Sequence, residues 1–129
     1  MTPLPPSSIT MSKSGRKGTK GETDRVNYFK SRGWKYATRI PKAGAKDKGD
    51  LILDQAVPVM IESKETKAFT PSTFIAEMEA QIINSDAKFG FVVVKKKGTT
   101  DVGKYYAITT VDHMMNLIEQ VFDKPSPNE

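Results

Sequence analysis

The chain has no cysteine among its 129 residues. Disulfides and thiolate metal sites are therefore excluded, in keeping with an intracellular protein. It has one histidine, His113, which spacing puts in the first turn of a final helix with no other ligand nearby. His113 reads as a surface or cap residue. No apolar run approaches the ~20 residues of a membrane span, so no membrane partner is expected. The start, MTPLPPSSITMSKSG, lacks the apolar core of a secretion signal. The expected location is the cytoplasm, or the host cytoplasm if the gene is viral. Internal repeats are also missing. With 37% hydrophobic residues, the chain is low in apolar content yet long enough for one domain with its own core.

The charge that is present is unevenly placed. Residues 13–48 hold twelve Lys or Arg against Glu22, Asp24 and Asp47, whereas residues 49–129 hold eight basic and twelve acidic side chains. A basic half leading into an acidic half suits a protein that brings a polyanion to a carboxylate site, so nucleic acid is the expected partner. A solvated, non-specific basic tail is the plainer alternative.

The acidic half opens with GDLILDQAVPVMIESK, residues 49–64. Two short apolar runs flank Asp54-Gln55-Ala56, the pattern of a β-hairpin. A turn centred near Ala56 sets Asp50 opposite Glu62, with Cβ atoms about 5 Å apart. Period-2 alternation puts Lys64 on the face of Glu62 and turns Ser63 away. Facing carboxylates repel unless a cation lies between them. A divalent metal held by both, beside a lysine, is a site for phosphodiester hydrolysis, because the metal polarises the phosphoryl oxygen and acidifies a bound water. The alternative is a lysine neutralising a glutamate on a solvated sheet face. A D…ExK pattern is too common to decide between them alone.

Residues 1–18 are rich in Pro, Ser, Gly and Lys and are expected to form a loose arm; Lys13, Arg16, Lys17 and Lys20 are candidate phosphate contacts. A first helix is expected over Lys20–Arg32, closed by Gly33. Glu22 on it is either an active-site acid or the third residue of a capping box begun by Thr19. WKYATRI, residues 34–40, reads as a strand, followed by a basic loop carrying Lys42, Lys46 and Lys48. A helix over Pro71–Asn84, capped by Ser72 or Thr73, carries an apolar stripe with Gln81 on its flank, within reach of Lys64. Phe89–Lys95 reads as a strand covered on both faces, and Lys104–Thr109 as another. A last helix, Val111–Phe122, is expected to offer Met114, Leu117, Ile118, Val121 and Phe122 to the core. The tail, 124–129, is expected to fray.

Three stretches together resemble the PD-(D/E)XK nuclease superfamily, and within it the archaeal-type Holliday junction resolvases. They are Lys20-Gly21-Glu22…Arg25 with Phe29 and Gly33-Trp34, then Ala43-Gly44-Ala45…Gly49-Asp50-Leu51-Ile52, then Ile61-Glu62-Ser63-Lys64; FGFVVVKKKG fits the strand that follows. The resemblance covers residues 19–97. Gly49 replaces the usual proline, and Ala43 and Ala45 stand where a serine is frequent. It implies an α/β fold, a restriction-endonuclease-like αβββαβ core with a mixed central sheet flanked by helices, over residues 19–123. It also implies a metal-dependent, structure-specific endonuclease resolving four-way junctions, with roles in DNA recombination and repair. Asp50, Glu62 and the Ser63 carbonyl would bind Mg²⁺ or Mn²⁺, as oxygen ligands suit a hard cation. Lys64 would orient or help deprotonate the attacking water, and Glu22 would complete the acidic cluster. Arg25 joins the expected DNA contacts. Resolution needs two strands cut near a two-fold axis, so a homodimer is expected, through the Met114/Met115 helix or the Phe89–Val94 region. A nuclease for flaps, mismatches or a short site, and a silent nucleic-acid-binding module, are the alternatives.

Overall fold

The computed structural model describes residues 13–40, 51–65 and 68–128, with the backbone alone for 13–20. It is an α/β structure of five strands and three helices. They are α1 (Lys13–Ser31), β1 (Thr38–Arg39), β2 (Leu51–Ile52), β3 (Val59–Lys64), α2 (Pro71–Ser85), β4 (Phe89–Val94), β5 (Tyr106–Ile108) and α3 (Val111–Val121). A 3-10 turn, Val102–Lys104, precedes β5. The strands lie side by side in chain order. Only β3 and β4 run parallel, and the remaining pairs are antiparallel. That parallel pair follows from the sequence order, since a parallel neighbour needs a crossover and α2 supplies it.

Each face of the sheet is covered by one helix. Val26 and Phe29 of α1 pack with Leu51, Ile61 and Val93 on one side. Phe74 and Met78 of α2 pack with Val92 and Val94 on the other. Successive residues of β4 thus enter opposite cores, which is why its sequence is apolar throughout. Gly90 lets α2 settle closely: a Cβ there would stand 2.7 Å from Ile82 Cδ1 and 3.1 Å from the Met60 carbonyl oxygen.

Several boundaries differ from expectation for identifiable reasons. The first helix begins at Lys13, inside the stretch expected to be a loose arm. Its lysines and arginine are good helix formers, and adding turns to an anchored helix avoids the cost of a new nucleus. At the other end, Gly33 adopts φ +102°. Its N–H donates to the Lys30 carbonyl and that of Trp34 to the Phe29 carbonyl, the pairing of a Schellman stop. The chain is still turning through Trp34–Tyr36, so the first strand shrinks from the expected Trp34–Ile40 to Thr38–Arg39.

At α2 the N-cap residue is Thr70, with Pro71 opening the helix and no side-chain cap, which replaces the expected Ser72 or Thr73. The largest departure is α3. It is capped as a helix should be, with Thr110 Oγ1 accepting from the His113 N–H. Yet Met114, Leu117, Ile118, Val121 and Phe122 are all exposed, at 38–67%. The gap between α2 and α3 is lined on the α3 side by Thr110, Asp112, His113 and Asn116. The helix therefore buries no residue, has only His113 partly covered, and leaves its apolar stripe outside the core it was expected to complete.

Candidate active site

The hairpin forms around the break read from sequence. Asp54 Oδ1 accepts from the Ala56 N–H at 2.9 Å, and the Asp54 carbonyl accepts from the Val57 N–H at 3.0 Å. This side-chain-stabilised turn fixes the register, and Leu51 pairs with Ile61. One residue further along, the same register would face position 50 with position 62. Asp50 itself, like Lys42, Lys46 and Lys48, lies outside the described residues.

β3 is the element that builds the site. Ile61 enters the α1 core, so alternation sends Glu62 and Lys64 to the α2 face. Glu62 is 4% exposed. Lys64 Nζ lies 3.7 Å from Glu62 Oε1 and forms a second ion pair with Glu77 of α2. It also sits 5.7 Å from the centre of the Phe74 ring, within cation–π range. One ammonium is thus shared by two carboxylates. Burying a carboxylate as deeply as Glu62 demands such compensation. Among the described residues, no group of three acids or histidines is gathered closely enough to hold a metal ion.

Glu77 was missed by sequence reasoning, which offered Gln81 as the residue reaching Lys64. Both lie on one side of α2, one turn apart. Gln81 is buried, and it is Glu77 that meets the ammonium. Helical spacing relative to Phe74 was the available signal: Glu77 follows it by three positions, and Phe74 packs under Lys64.

Glu22 stands apart from this group. With α1 starting at Lys13, it lies mid-helix, and the capping-box alternative falls because Thr19 is not at a helix start. Its carboxylate pairs with Arg39 on β1, on the helix that covers the face opposite Glu62. Exposed pairs of this kind contribute about 1 kcal/mol or less. Glu22→Gln is accordingly expected to leave Tm nearly unchanged in thermal unfolding, and a fall of several degrees would show that the Arg39 pair carries more than an exposed pair should.

Arg25 corrects a sequence expectation more sharply. Placed with the DNA contacts, it is 1% exposed and unavailable to a phosphate. Nη1 donates to the Gly21 carbonyl at 2.7 Å and Nη2 to the Lys64 carbonyl at 3.2 Å. Its guanidinium lies 5.2 Å from the Tyr105 ring centre, and Glu65 Oε2 is 3.9 Å from Nη1. Burial pushes its pKa down from the ordinary value, opposed chiefly by the Glu65 charge. Arg25 thereby ties α1 to the last residue of the E-x-K strand. Gly21 permits this approach, since a Cβ there would run into the Glu65 carboxylate. Replacing Arg25 with Leu removes both charge-assisted bonds, each contributing about 1 kcal/mol or more, although the Lys64 carbonyl keeps the Lys95 N–H. A Tm fall of roughly 6–10 °C is expected in thermal unfolding.

Lys13, Arg16, Lys17 and Lys20 belong to α1 by backbone position. The Ser63 carbonyl lies on β3 between Glu62 and Lys64. No described helix is long and apolar enough to cross a membrane. No protein-family model, curated protein or solved structure matches the chain.

Proposed function

We propose that this protein is a metal-dependent, structure-specific DNA endonuclease of the PD-(D/E)XK type, hydrolysing phosphodiesters at four-way junctions. The observation that carries the reading is the pairing of a buried Glu62 with Lys64 on one strand face, in a hairpin whose register pairs Leu51 with Ile61. The element order α1-β1-β2-β3-α2-β4 is the αβββαβ sequence such a core requires. The excess of Lys and Arg in residues 13–48 supports a polyanion as partner.

The donor chemistry fits a hard cation. Carboxylates of Asp50 and Glu62 with the Ser63 carbonyl would hold Mg²⁺ or Mn²⁺, which when bound supplies Lewis-acid polarisation and a water of lowered pKa. The chain's own share is orientation and charge. Lys64, steadied by Glu77 and by the edge of the α2 core, orients or helps deprotonate the attacking water. Its ammonium also offsets charge building on the phosphorane. Cutting two strands symmetrically calls for two such sites in a homodimer.

Matched-sequence four-way junction, flap and linear duplex, each incubated with the protein and Mg²⁺, test the reading. Junction cleavage well above the other two is expected. Preference for the flap would assign a different nuclease substrate, and binding without cleavage of any of them would leave a silent binding module.

A further inference from the structure

Behind the sheet, away from Glu62, a second surface has a different composition. An open pocket of about 430 Å³ lies between α1, the 3-10 turn and the strands β4 and β5. Its walls are aromatic: Tyr28, Trp34, Phe91, Tyr105 and Tyr106. Among the described residues Arg32 is the one charged residue lining it, and the Asp101 carboxylate lies just outside, held by the Gly103 N–H. A second cation stands at the rim, where Lys96 Nζ is 6.0 Å from the Tyr106 ring centre; the Arg32 guanidinium is 5.9 Å from that of Tyr28. Gly103 keeps the 3-10 turn against Tyr28, since a Cβ there would sit 3.2 Å from Tyr28 Cε1. Tyr28, Phe91 and Tyr105 pack one side against the α1 core, while Trp34 and Tyr106 are 38% and 51% exposed and open to a ligand.

Half-exposed rings around a concave site select a ligand with a flat, polarisable face. Two cations, Arg32 and Lys96, against the one carboxylate of Asp101 already engaged by the Gly103 N–H, favour one that is also anionic. An apolar peptide segment satisfies the first condition and leaves the cations unused. A nucleotide within a strand satisfies both, because bases stack on aromatic side chains and arginine planes while the backbone phosphate meets positive charge. The space equals the liquid volume of about fourteen waters, enough for one base with its sugar.

We propose that this pocket binds a single unstacked base of a DNA strand, with the adjoining phosphate turned toward Arg32 and Lys96. The proposal rests on the reading of the protein as one that engages DNA, and it requires no cleavage. It would let the protein hold a strand whose bases are already released from pairing, as at a branch point or single-stranded end, on the face remote from Glu62 and Lys64.

Trp34 is the only tryptophan in the chain, so its fluorescence reports on this pocket alone. The probes are an eight-nucleotide oligo-dT and an abasic octamer of equal charge, titrated at low salt without divalent metal, with anisotropy of a labelled end reporting binding independently. Oligo-dT is expected to quench Trp34 and to bind about tenfold more tightly than the abasic strand, the scale on which single base–aromatic stacks act. Tyr106→Leu, at a half-exposed position where folding tolerates change, is expected to abolish that difference while binding of the abasic strand persists. Equal binding of both strands with unchanged Trp34 emission would overturn the pocket and leave the DNA reading intact. No binding of either strand or of a four-way junction would overturn the DNA reading, and the pocket with it.

Discussion

Glu62→Gln is expected to remove Mg²⁺-dependent junction cleavage, by a factor of a thousand or more, while junction binding in a gel-shift assay stays within about threefold. The amide keeps the shape of the side chain but takes away the charge that would hold the cation, and a metal that activates water and polarises phosphate supplies several kcal/mol of transition-state stabilisation; each 1.36 kcal/mol is tenfold in rate. Asp50→Asn should behave alike. Lys64→Ala should match them in cleavage without removing a proposed metal ligand, because it deletes the ammonium and leaves Glu62 and Glu77 facing each other unshielded. The two classes separate on raising Mg²⁺: excess metal should restore part of the Asn and Gln variants' activity and none of the Ala variant's. Near-normal turnover in any of the three removes the site assignment.

How far the sequence carried this site depends on the range of the interactions that set it. The hairpin was legible because its register is local. Asp54 binds its own backbone two residues on, and the flanking apolar runs then have one way to pair. The strand Phe89–Val94 was legible because an unbroken apolar run has to be covered on both sides. Arg25 was not, because its role comes from a carbonyl 39 positions away; in a basic helix, a buried arginine and a phosphate-binding one look the same. Glu77 escaped for a related reason. Its spacing placed it on the correct side of α2, but which side chain reaches Lys64 depends on how deeply the helix settles, and that is governed by Gly90 on another element. The stop at Gly33 was read correctly, while the turns it sends into Trp34–Tyr36 were hidden by an alternation of Trp, Tyr and Ile that reads equally well as a strand.

The orientation of α3 was the expectation most fully reversed, and it yields the second large effect. An amphipathic stripe with the right period is assumed to face its own core, because a lone chain offers no other place to bury it. Here Leu117, Ile118, Val121 and Phe122 face outward with Met114 and Met115 beside them. An exposed apolar surface of this extent marks an interaction site. Two junction strands related by near two-fold symmetry require two catalytic groups, and one domain of this size offers one. A self-complementary helix face on each copy would answer both needs through a two-fold interface. Leu117→Glu would put a carboxylate where apolar groups should close over each other. Central interface residues carry 2 kcal/mol or more, so dimer dissociation should strengthen by at least about thirtyfold, moving sedimentation at micromolar concentration from dimer to monomer. Folding should be unaffected, since Leu117 is already 43% exposed. On a supercoiled plasmid carrying an extruded cruciform, the parent protein should give linear product, from paired cuts within one binding event. The variant should give nicked circles, because β3, the strand of the proposed site, is untouched and only the pairing of two sites is lost. A parent protein that sediments as a monomer both free and on junction DNA, and yields nicked circles itself, would point instead to single-strand cleavage at flaps or other branched ends.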